Sequence, residues 1–141
     1  MSLDPKTLQY TATHEWVHLE NGPDGAKIAT VGISDFAIHA LTDLVHIDLP
    51  EPGREVWAGK PFGEVESVKA VSDLYSPVDG KIVEVNETLT KPDPRTQIVN
   101  LDPLTQDPYG AGWLVKIRVS GGSSELLDYA TYKKQCDEAE A

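Results

Sequence analysis

Two histidines and a glutamate near the N-terminus form a pattern that could bind zinc. His14, Glu15 and His18 match the letters H-E-x-x-H, in which the histidines hold the metal and the glutamate acts as general base. That chemistry needs a helix, whereas Thr11 and its neighbours favour extended chain and a turn signal follows at Asn21-Gly22. In a strand the two rings are separated by about 13 Å, too far to share one ion. The pattern therefore predicts ordinary strand residues and no metal site.

The remaining candidates for metal binding or covalent catalysis lack partners at the required spacing. His39 and His46 have no cysteine or third histidine at ligand spacing, so we interpret them as surface or locally hydrogen-bonded histidines. Cys136, the one cysteine, stands among carboxylates that disfavour a reactive thiolate. No Gly-rich phosphate loop and no G-x-S-x-G segment occurs. The sequence thus contains no visible catalytic set.

One lysine has a more unusual setting. A strand-forming run leads to Lys69, and another leads from it to the turn signal Ser76-Pro77. This arrangement predicts a hairpin with the lysine at its exposed tip. By pattern alone, the ordinary interpretation of Lys69 is a solvated surface lysine.

Composition and charge restrict the partners. The chain has 141 residues and a formal net charge of −11, which repels phosphate backbones and anionic lipid. We therefore expect no nucleic-acid and no membrane partner. Met1–Lys6 resembles neither a signal peptide nor a transit peptide. The expected location is the cytoplasm of a bacterium or, for a mature eukaryotic chain, the mitochondrial matrix.

The elements that must position Lys69 are mainly strands. Alternation is clearest over Trp113–Val119 and over Leu41–Leu49, where Val45, Ile47 and Leu49 share the predicted inner face. Further strands are predicted at Trp16–Leu19, Ile28–Ile33, Phe62–Ser67 and Lys81–Val85, with a turn at Pro77–Gly80.

Helical signals are few. Ser34 is a capping residue for a short helix over Asp35–Leu41, and Ser123 or Ser124 is one for a helix over Glu125–Cys136. Residues 90–112 are rich in proline and predict a long loop. We expect one domain over residues 1–141, with residues 137–141 as a frayed acidic tail.

The lysine segment resembles a known signature. Val65–Ala70, followed by Ser72-Asp73 and Ser76-Pro77, is similar to the lipoyl-lysine signature of the glycine cleavage system H-protein family. Similarity extends over nearly the whole chain. It includes Thr13–Trp16, Val31–Ala37, Leu49–Gly53, Gly80–Asn86, Asp107–Gly110, Gly112–Ile117 and Ser124–Leu127. The chain departs from the family in the longer Lys91–Gln106 region.

The resemblance implies a fold and a function. The fold would be mostly β, a lipoyl/biotinyl-type β-sandwich (a barrel-sandwich hybrid) with a short internal helix and a C-terminal helix. Lys69 would carry lipoic acid in amide linkage, attached by a lipoate ligase or lipoyl transferase. The protein would be a non-catalytic carrier, because the hard chemistry belongs to the cofactor and to the partner enzymes.

The implied partners are three enzymes. The lipoyl arm would take up the aminomethyl group of glycine at glycine decarboxylase (P-protein) and pass it to the aminomethyltransferase (T-protein). Dihydrolipoamide dehydrogenase (L-protein) would then reoxidise the arm. Thr13, Glu15 and Asp73 resemble residues that line the family's arm cleft, and Glu66 and Asp73 flank Lys69.

Five different interpretations compete with this one. A biotinyl domain usually has methionines beside its lysine, whereas Lys69 lies between Val68 and Ala70. A lipoyl domain of a 2-oxoacid dehydrogenase lacks the Thr13–Trp16 and C-terminal helix segments. The chain could also be a lipoate relay protein that donates lipoyl groups to further enzymes, or a homologue that does not meet glycine decarboxylase. The fifth interpretation is an enzyme built on His14 and His18.

Overall fold

The computed structural model describes residues 3–22, 24–41 and 43–140. Within these residues the chain forms nine strands and three α-helices. The strands are β1 (Gln9–Tyr10), β2 (Glu15–Asn21), β3 (Lys27–Ile33), β4 (Leu44–Asp48), β5 (Glu55–Val56), β6 (Pro61–Ser67), β7 (Val71–Tyr75), β8 (Val78–Val85) and β9 (Val115–Ser123). The helices are α1 (Asp35–Leu41), α2 (Asp102–Gln106) and α3 (Tyr129–Glu140), with 3₁₀ turns at Pro5–Thr7 and Glu87–Leu89.

The strands form two antiparallel sheets. The larger sheet has the order β1-β2-β3-β9-β8-β5, and the smaller has the order β4-β6-β7. Both sheets contribute buried side chains to one hydrophobic cluster, as expected of a sandwich. The mostly β fold with a short internal helix and a C-terminal helix is thus confirmed. No helix of the described residues is long and apolar enough to cross a membrane.

The first strands of the larger sheet are buried on both faces. One face contributes Val17 and Val31 to the main core, which also contains Phe62 and Val65 of the smaller sheet. The opposite face carries Trp16 into a second, aromatic cluster that is closed by α3. This second cluster contains Leu8, Tyr10, Trp16, Tyr109, Tyr132 and Cys136. The C-terminal helix therefore packs directly on the N-terminal strands.

The prediction that Val45 shares the inner face of its strand with Ile47 is wrong. The register of β4 against β6 shifts between Leu44 and His46, so the bulged Val45 is 51% exposed while Ile47 is 4% exposed. A bulge adds a residue to one strand and ends the alternation on which the prediction rested. The predicted turn over residues 77–80 is wrong for a related reason, since Val78 begins β8 and a register shift separates it from Gly80.

The C-terminal helix lies farther along the chain than its serines indicate. Its first turn is capped by Asp128, whose carboxylate accepts a hydrogen bond from the Thr131 N–H at 2.8 Å. The preceding residue, Leu127, pairs instead with the backbone of Tyr10 in both directions, at 2.7 and 2.8 Å. Because that β-bridge holds the chain extended, the helix cannot begin at Ser123 or Ser124. It then continues through Glu140, beyond the predicted end at Cys136.

The long loop contains a helix that the sequence pattern did not reveal. Helix α2 places Leu104 in the main core, where it is 1% exposed. The Asn86 side chain donates hydrogen bonds to the carbonyl oxygens of Ala111 and Trp113, both at 2.8 Å, and so ties the loop at its two ends. By contrast, α1 has the predicted bounds, and Ser34 Oγ accepts from the Ala37 N–H at 3.3 Å.

Gly32 tests the packing of the aromatic cluster. A Cβ at this position would collide with the indole ring of Trp16, which lies flat against β3. We expect Gly32→Ala to lower the free energy of unfolding by about 1–3 kcal/mol, the usual cost of overpacking. Urea unfolding followed by tryptophan fluorescence measures this change. In Gly121→Ala, the matched control, the nearest atom is Asp79 Oδ2 at 3.1 Å, whereas at Gly32 the indole atoms of Trp16 lie well within that distance. Equal midpoints for the two variants would contradict the packing described.

Candidate functional site

Lys69 lies at the tip of the β6–β7 hairpin. The Ser67 N–H donates to the carbonyl oxygen of Ala70 at 2.8 Å, and Ser67 Oγ accepts from the Ala70 N–H at 3.2 Å. These bonds leave Val68 and Lys69 as a two-residue loop. The Lys69 side chain is exposed, and it has no ion-pair partner among the residues the structure describes. The exposed lysine at a hairpin tip is as predicted.

A third strand steadies this tip. The Val68 N–H donates to the carbonyl oxygen of Asp43 at 3.1 Å, and Leu44 pairs with Ser67 at the start of β4. The backbone on both sides of Lys69 is therefore held by hydrogen bonds. The lysine side chain is long and free to move, whereas its attachment point is fixed.

The outer face of the small sheet is acidic. Glu66 pairs with Val71 beside the tip, and one row farther along Glu64 lies between Asp48 and Asp73. All four carboxylates are exposed. Like charges directly opposite one another on neighbouring strands destabilise a sheet. This face thus places negative charge along the lysine hairpin, at some cost in stability, and Glu66 is the carboxylate nearest the tip.

A second cluster of polar residues lies in the loop between β1 and β2. Glu15 Oε1 accepts hydrogen bonds from the hydroxyls of Thr11 at 2.6 Å and Thr13 at 2.5 Å. Glu15 Oε2 accepts from the backbone N–H of Tyr75 at 3.4 Å. Tyr75 is the last residue of β7, the strand that begins directly after the lysine loop. The carboxyl group therefore connects the larger sheet to the strand that leads back to Lys69.

Glu15 is a buried acid. Its side chain is 2% exposed. Burial raises the pKa of Glu15 because a low-dielectric setting disfavours the carboxylate, and the hydrogen bonds from Thr11, Thr13 and Tyr75 oppose that rise. The two hydroxyls also fix the orientation of the carboxyl group. Such a group is well suited to receive a cation, whose charge would offset the cost of burial.

A surface cleft of about 430 Å³ opens beside this cluster. Its walls come from three parts of the chain: the β1–β2 loop, the end of β7 and the segment before α3. The lining residues are Thr11, Ala12, Thr13, Gly59, Tyr75, Ser76, Ser124 and Glu125. Glu15 lies against this cleft because its carboxyl group is hydrogen-bonded to Thr11, Thr13 and the backbone N–H of Tyr75, and all three of these residues line the cleft.

The structure brings together only part of the predicted site. Thr13 and Glu15 are hydrogen-bonded to each other, whereas Glu66 and Asp73 lie on the outer face of the lysine hairpin. Sequence reasoning missed Thr11. Its spacing of two residues from Thr13 and of four from Glu15 was a visible signal, because alternate residues of an extended segment lie on the same face. The contributions of the Tyr75 N–H and of Glu125 have no local signal, because each comes from a distant segment.

The residues of the zinc-like pattern lie partly in a strand. Strand β2 contains the predicted Trp16–Leu19, but the interpretation of His14 as a strand residue is wrong, because it lies in the loop before β2 with a φ of +77°. Among the described residues, no group of three or more histidine, cysteine, aspartate or glutamate side chains has a geometry that could hold a metal ion.

Comparison with known proteins agrees with this arrangement. The family model described as "Glycine cleavage H-protein" matches residues 8–139. The chain belongs to the glycine cleavage H-protein family. It is 51% identical over 140 residues to the glycine cleavage system H protein of Rhodopirellula baltica, covering 99% of each chain. It is 45% identical over 140 residues to that of Carboxydothermus hydrogenoformans, covering 98% of each.

A solved structure supports the fold of this H-protein family member. The crystal structure of a glycine cleavage system H protein from Mycobacterium marinum is 44% identical and has a TM-score of 0.76. The match covers 94% of this chain and 98% of the solved one. Membership of the family sets aside the biotinyl domain and the 2-oxoacid dehydrogenase domain as interpretations. It also makes the chain a carrier component of the glycine cleavage system.

The buried acid predicts a characteristic pH dependence. The pKa of Glu15 is higher in the folded chain than in the unfolded chain, so its contribution to stability is full at low pH and is lost as pH rises through the folded value. Glutamine carries no charge and escapes that loss. We therefore expect the melting temperature of Glu15→Gln, relative to that of the parent chain, to increase as pH rises above the ordinary pKa of glutamate and to level off once the buried carboxyl group is ionised.

Thermal unfolding followed by near-ultraviolet circular dichroism measures this difference. The control is Glu20→Gln, at an exposed position of the same strand. A fixed offset between Glu15→Gln and the parent at every pH, or one that shrinks as pH rises, would show that Glu15 does not become a costly buried carboxylate.

Proposed function

We propose that Lys69 carries a lipoyl group in amide linkage and that this arm shuttles the aminomethyl group of glycine. A lipoate ligase or lipoyl transferase would attach the group. The arm would visit glycine decarboxylase, then the aminomethyltransferase, and then dihydrolipoamide dehydrogenase. The observation that carries the proposal is the exposed lysine on a two-residue hairpin loop, within a chain of this family. Bound lipoic acid would supply the sulfur and redox chemistry that the chain's own side chains lack.

The residues around Lys69 fit such a modification. The side chain is accessible, and the strands beside it are fixed by backbone bonds, so an enzyme meets the backbone that carries the lysine in one geometry. Amide formation removes the lysine's positive charge. Glu66 beside the tip, with Glu64 and Asp73 farther along the same face, then leaves this hairpin negative, which favours docking of partner surfaces that are basic. Contacts of this kind suit a carrier that must leave each enzyme quickly.

The distance from Lys69 to the Glu15 cleft fits the length of the arm. An extended lipoyl-lysine side chain measures about 15 Å from Cα to the ring sulfurs, as ordinary bond lengths dictate. Along β7, Asp73 is about 13 Å and Tyr75 about 20 Å from Lys69, at about 3.3 Å per residue. An extended arm that follows this strand would pass Asp73 and end about 5 Å before Tyr75, and the aminomethyl group on its sulfur would extend it by about 3 Å toward the mouth of the cleft.

The cleft would then protect the cargo. An aliphatic amine is positively charged near neutral pH. Glu15 offers a carboxylate whose orientation is fixed by Thr11 and Thr13, and its burial excludes water. Thr13 is exposed and lines the cleft, so its hydroxyl oxygen is a further acceptor for the amine. We therefore assign these three residues to holding the amine and excluding water, and no bond-making step to any of them.

The relatives also bear on location. The two named above are bacterial. We propose the bacterial cytoplasm as the location of this chain, or the mitochondrial matrix if the chain is eukaryotic.

Lys69→Arg tests the lipoyl assignment. Arginine keeps the charge and the length of the side chain, but a guanidinium is not acylated by the ligase. After expression with a lipoate ligase and lipoic acid, we expect intact mass and peptide mapping to find one lipoyl group in the parent chain and none in Lys69→Arg. Glycine cleavage reconstituted with the three partner enzymes should fall to background with this variant.

The control for this experiment is Lys81→Arg, which changes another exposed lysine on strand β8 of the larger sheet. It should be lipoylated and fully active. Lipoylation at another lysine, or normal activity of Lys69→Arg, would remove the proposal.

A further inference from the structure

The C-terminal helix is bonded to the loop that carries Thr13. Gln135 Nε2 donates to the carbonyl oxygen of Ala12 at 3.0 Å, and the Tyr132 hydroxyl is 2.8 Å from His14 Nδ1. Tyr132 and Gln135 are three residues apart, so both project from one face of α3. The helix therefore contacts the β1–β2 loop on both sides of Thr13, at Ala12 and at His14.

The loop needs such support. His14 has a backbone φ of +77°, in the left-handed region that residues other than glycine rarely adopt. A non-glycine residue held there costs about 1–3 kcal/mol and persists only where its surroundings enforce it. The enforcing contacts are visible: the His14 carbonyl oxygen accepts from the Ser34 N–H at 2.9 Å, and its ring packs against Phe36 and Tyr132, with centroid distances of 5.1 and 5.7 Å.

The Tyr132 hydroxyl has two hydrogen-bond partners. It lies 2.5 Å from Ser34 Oγ, which itself accepts from the Ala37 N–H at the start of α1. It also lies 2.8 Å from Nδ1 of His14, and the direction of that bond depends on which ring nitrogen of His14 carries the proton. The buried Tyr132 hydroxyl thus defines where the His14 ring lies, and through it the loop backbone.

The loop conformation in turn sets the acceptor group for the amine. Thr13 lies between the two residues that α3 contacts, and in this conformation of the loop its hydroxyl donates to Glu15 Oε1. We infer that Tyr132 and Gln135 are positioning residues, which hold Thr13 and Glu15 in place for the aminomethyl group without touching it. This inference rests on the function proposed above for the cleft. It predicts that changes on α3 alter retention of the cargo while leaving lipoylation of Lys69, at the far end of β7, unaffected.

Two variants weaken the support without removing the helix. Tyr132→Phe deletes one hydroxyl and keeps the ring, which stacks on Tyr10 at a centroid distance of 4.3 Å. Gln135→Ala removes the bond to Ala12 independently. Lys134→Ala, at an exposed position on the same helix, is the matched control. Each lipoylated protein is loaded with glycine and glycine decarboxylase, separated, and followed for release of the aminomethyl group.

We expect Tyr132→Phe and Gln135→Ala to release the group about three to ten times faster, the effect of losing one hydrogen bond. The intact mass of each lipoylated protein and the release rate of Lys134→Ala should match the parent. The decisive readout is a double-mutant cycle with Thr13→Val. Because Tyr132 acts through Thr13, Tyr132→Phe should cause little further acceleration in a Thr13→Val background, although the two side chains are not bonded to each other.

The outcomes separate the two proposals. If neither Thr13→Val nor Glu15→Gln accelerates release, the cleft does not hold the amine and the proposed function of the cleft fails. If Thr13→Val accelerates release but the two α3 variants do not, the positioning role fails and the cleft stands. Fully additive effects of Tyr132→Phe and Thr13→Val would also refute the positioning role, since a general loss of stability acts independently of Thr13.

Discussion

The burial of one carboxyl group determines the arrangement of this molecule's functional end. Glu15 is almost inaccessible to water, and a buried acid is tolerated only where its oxygens find donors. Those donors come from two places: the threonine hydroxyls of the β1–β2 loop and the backbone of Tyr75 at the end of β7. The larger sheet, the lysine hairpin and the N-terminal loop must therefore meet at this point. The C-terminal helix completes the group by holding the loop from outside.

The lysine and the acid perform separate tasks on separate sheets. Lys69 belongs to the smaller sheet, where it is exposed and its backbone is fixed, whereas Glu15 belongs to the larger sheet, where it is buried and fixed. A carrier needs this division because several enzymes must reach the arm, while a charged cargo must be shielded between visits. Strand β7 joins the two places, and its length is comparable to that of a lipoyl arm.

Several features near the site lower the stability of the fold. They include a buried acid, a left-handed His14, a row of carboxylates opposite one another beside Lys69, and the exposed Val68, which is 71% accessible. Each is unfavourable for folding alone. Their concentration around one hairpin and one loop, with well-packed apolar clusters elsewhere, is the distribution expected of a functional region.

The amino-acid sequence by itself determined the strand-rich fold, the bounds of α1, the exposed Lys69 and the family, because local alternation, capping residues and a lysine signature are all contained in short stretches of chain. It did not reveal the bulge at Val45 or the start of α3, because cross-strand register and the Tyr10–Leu127 bridge depend on residues far apart in sequence. The same limit applies to the cleft. Thr13 and Glu15 were recognised by resemblance, whereas Tyr75, Glu125 and Tyr132 join them only through tertiary packing. The physical reason is that no local sequence pattern records which distant backbone group will form a hydrogen bond with a buried carboxyl group.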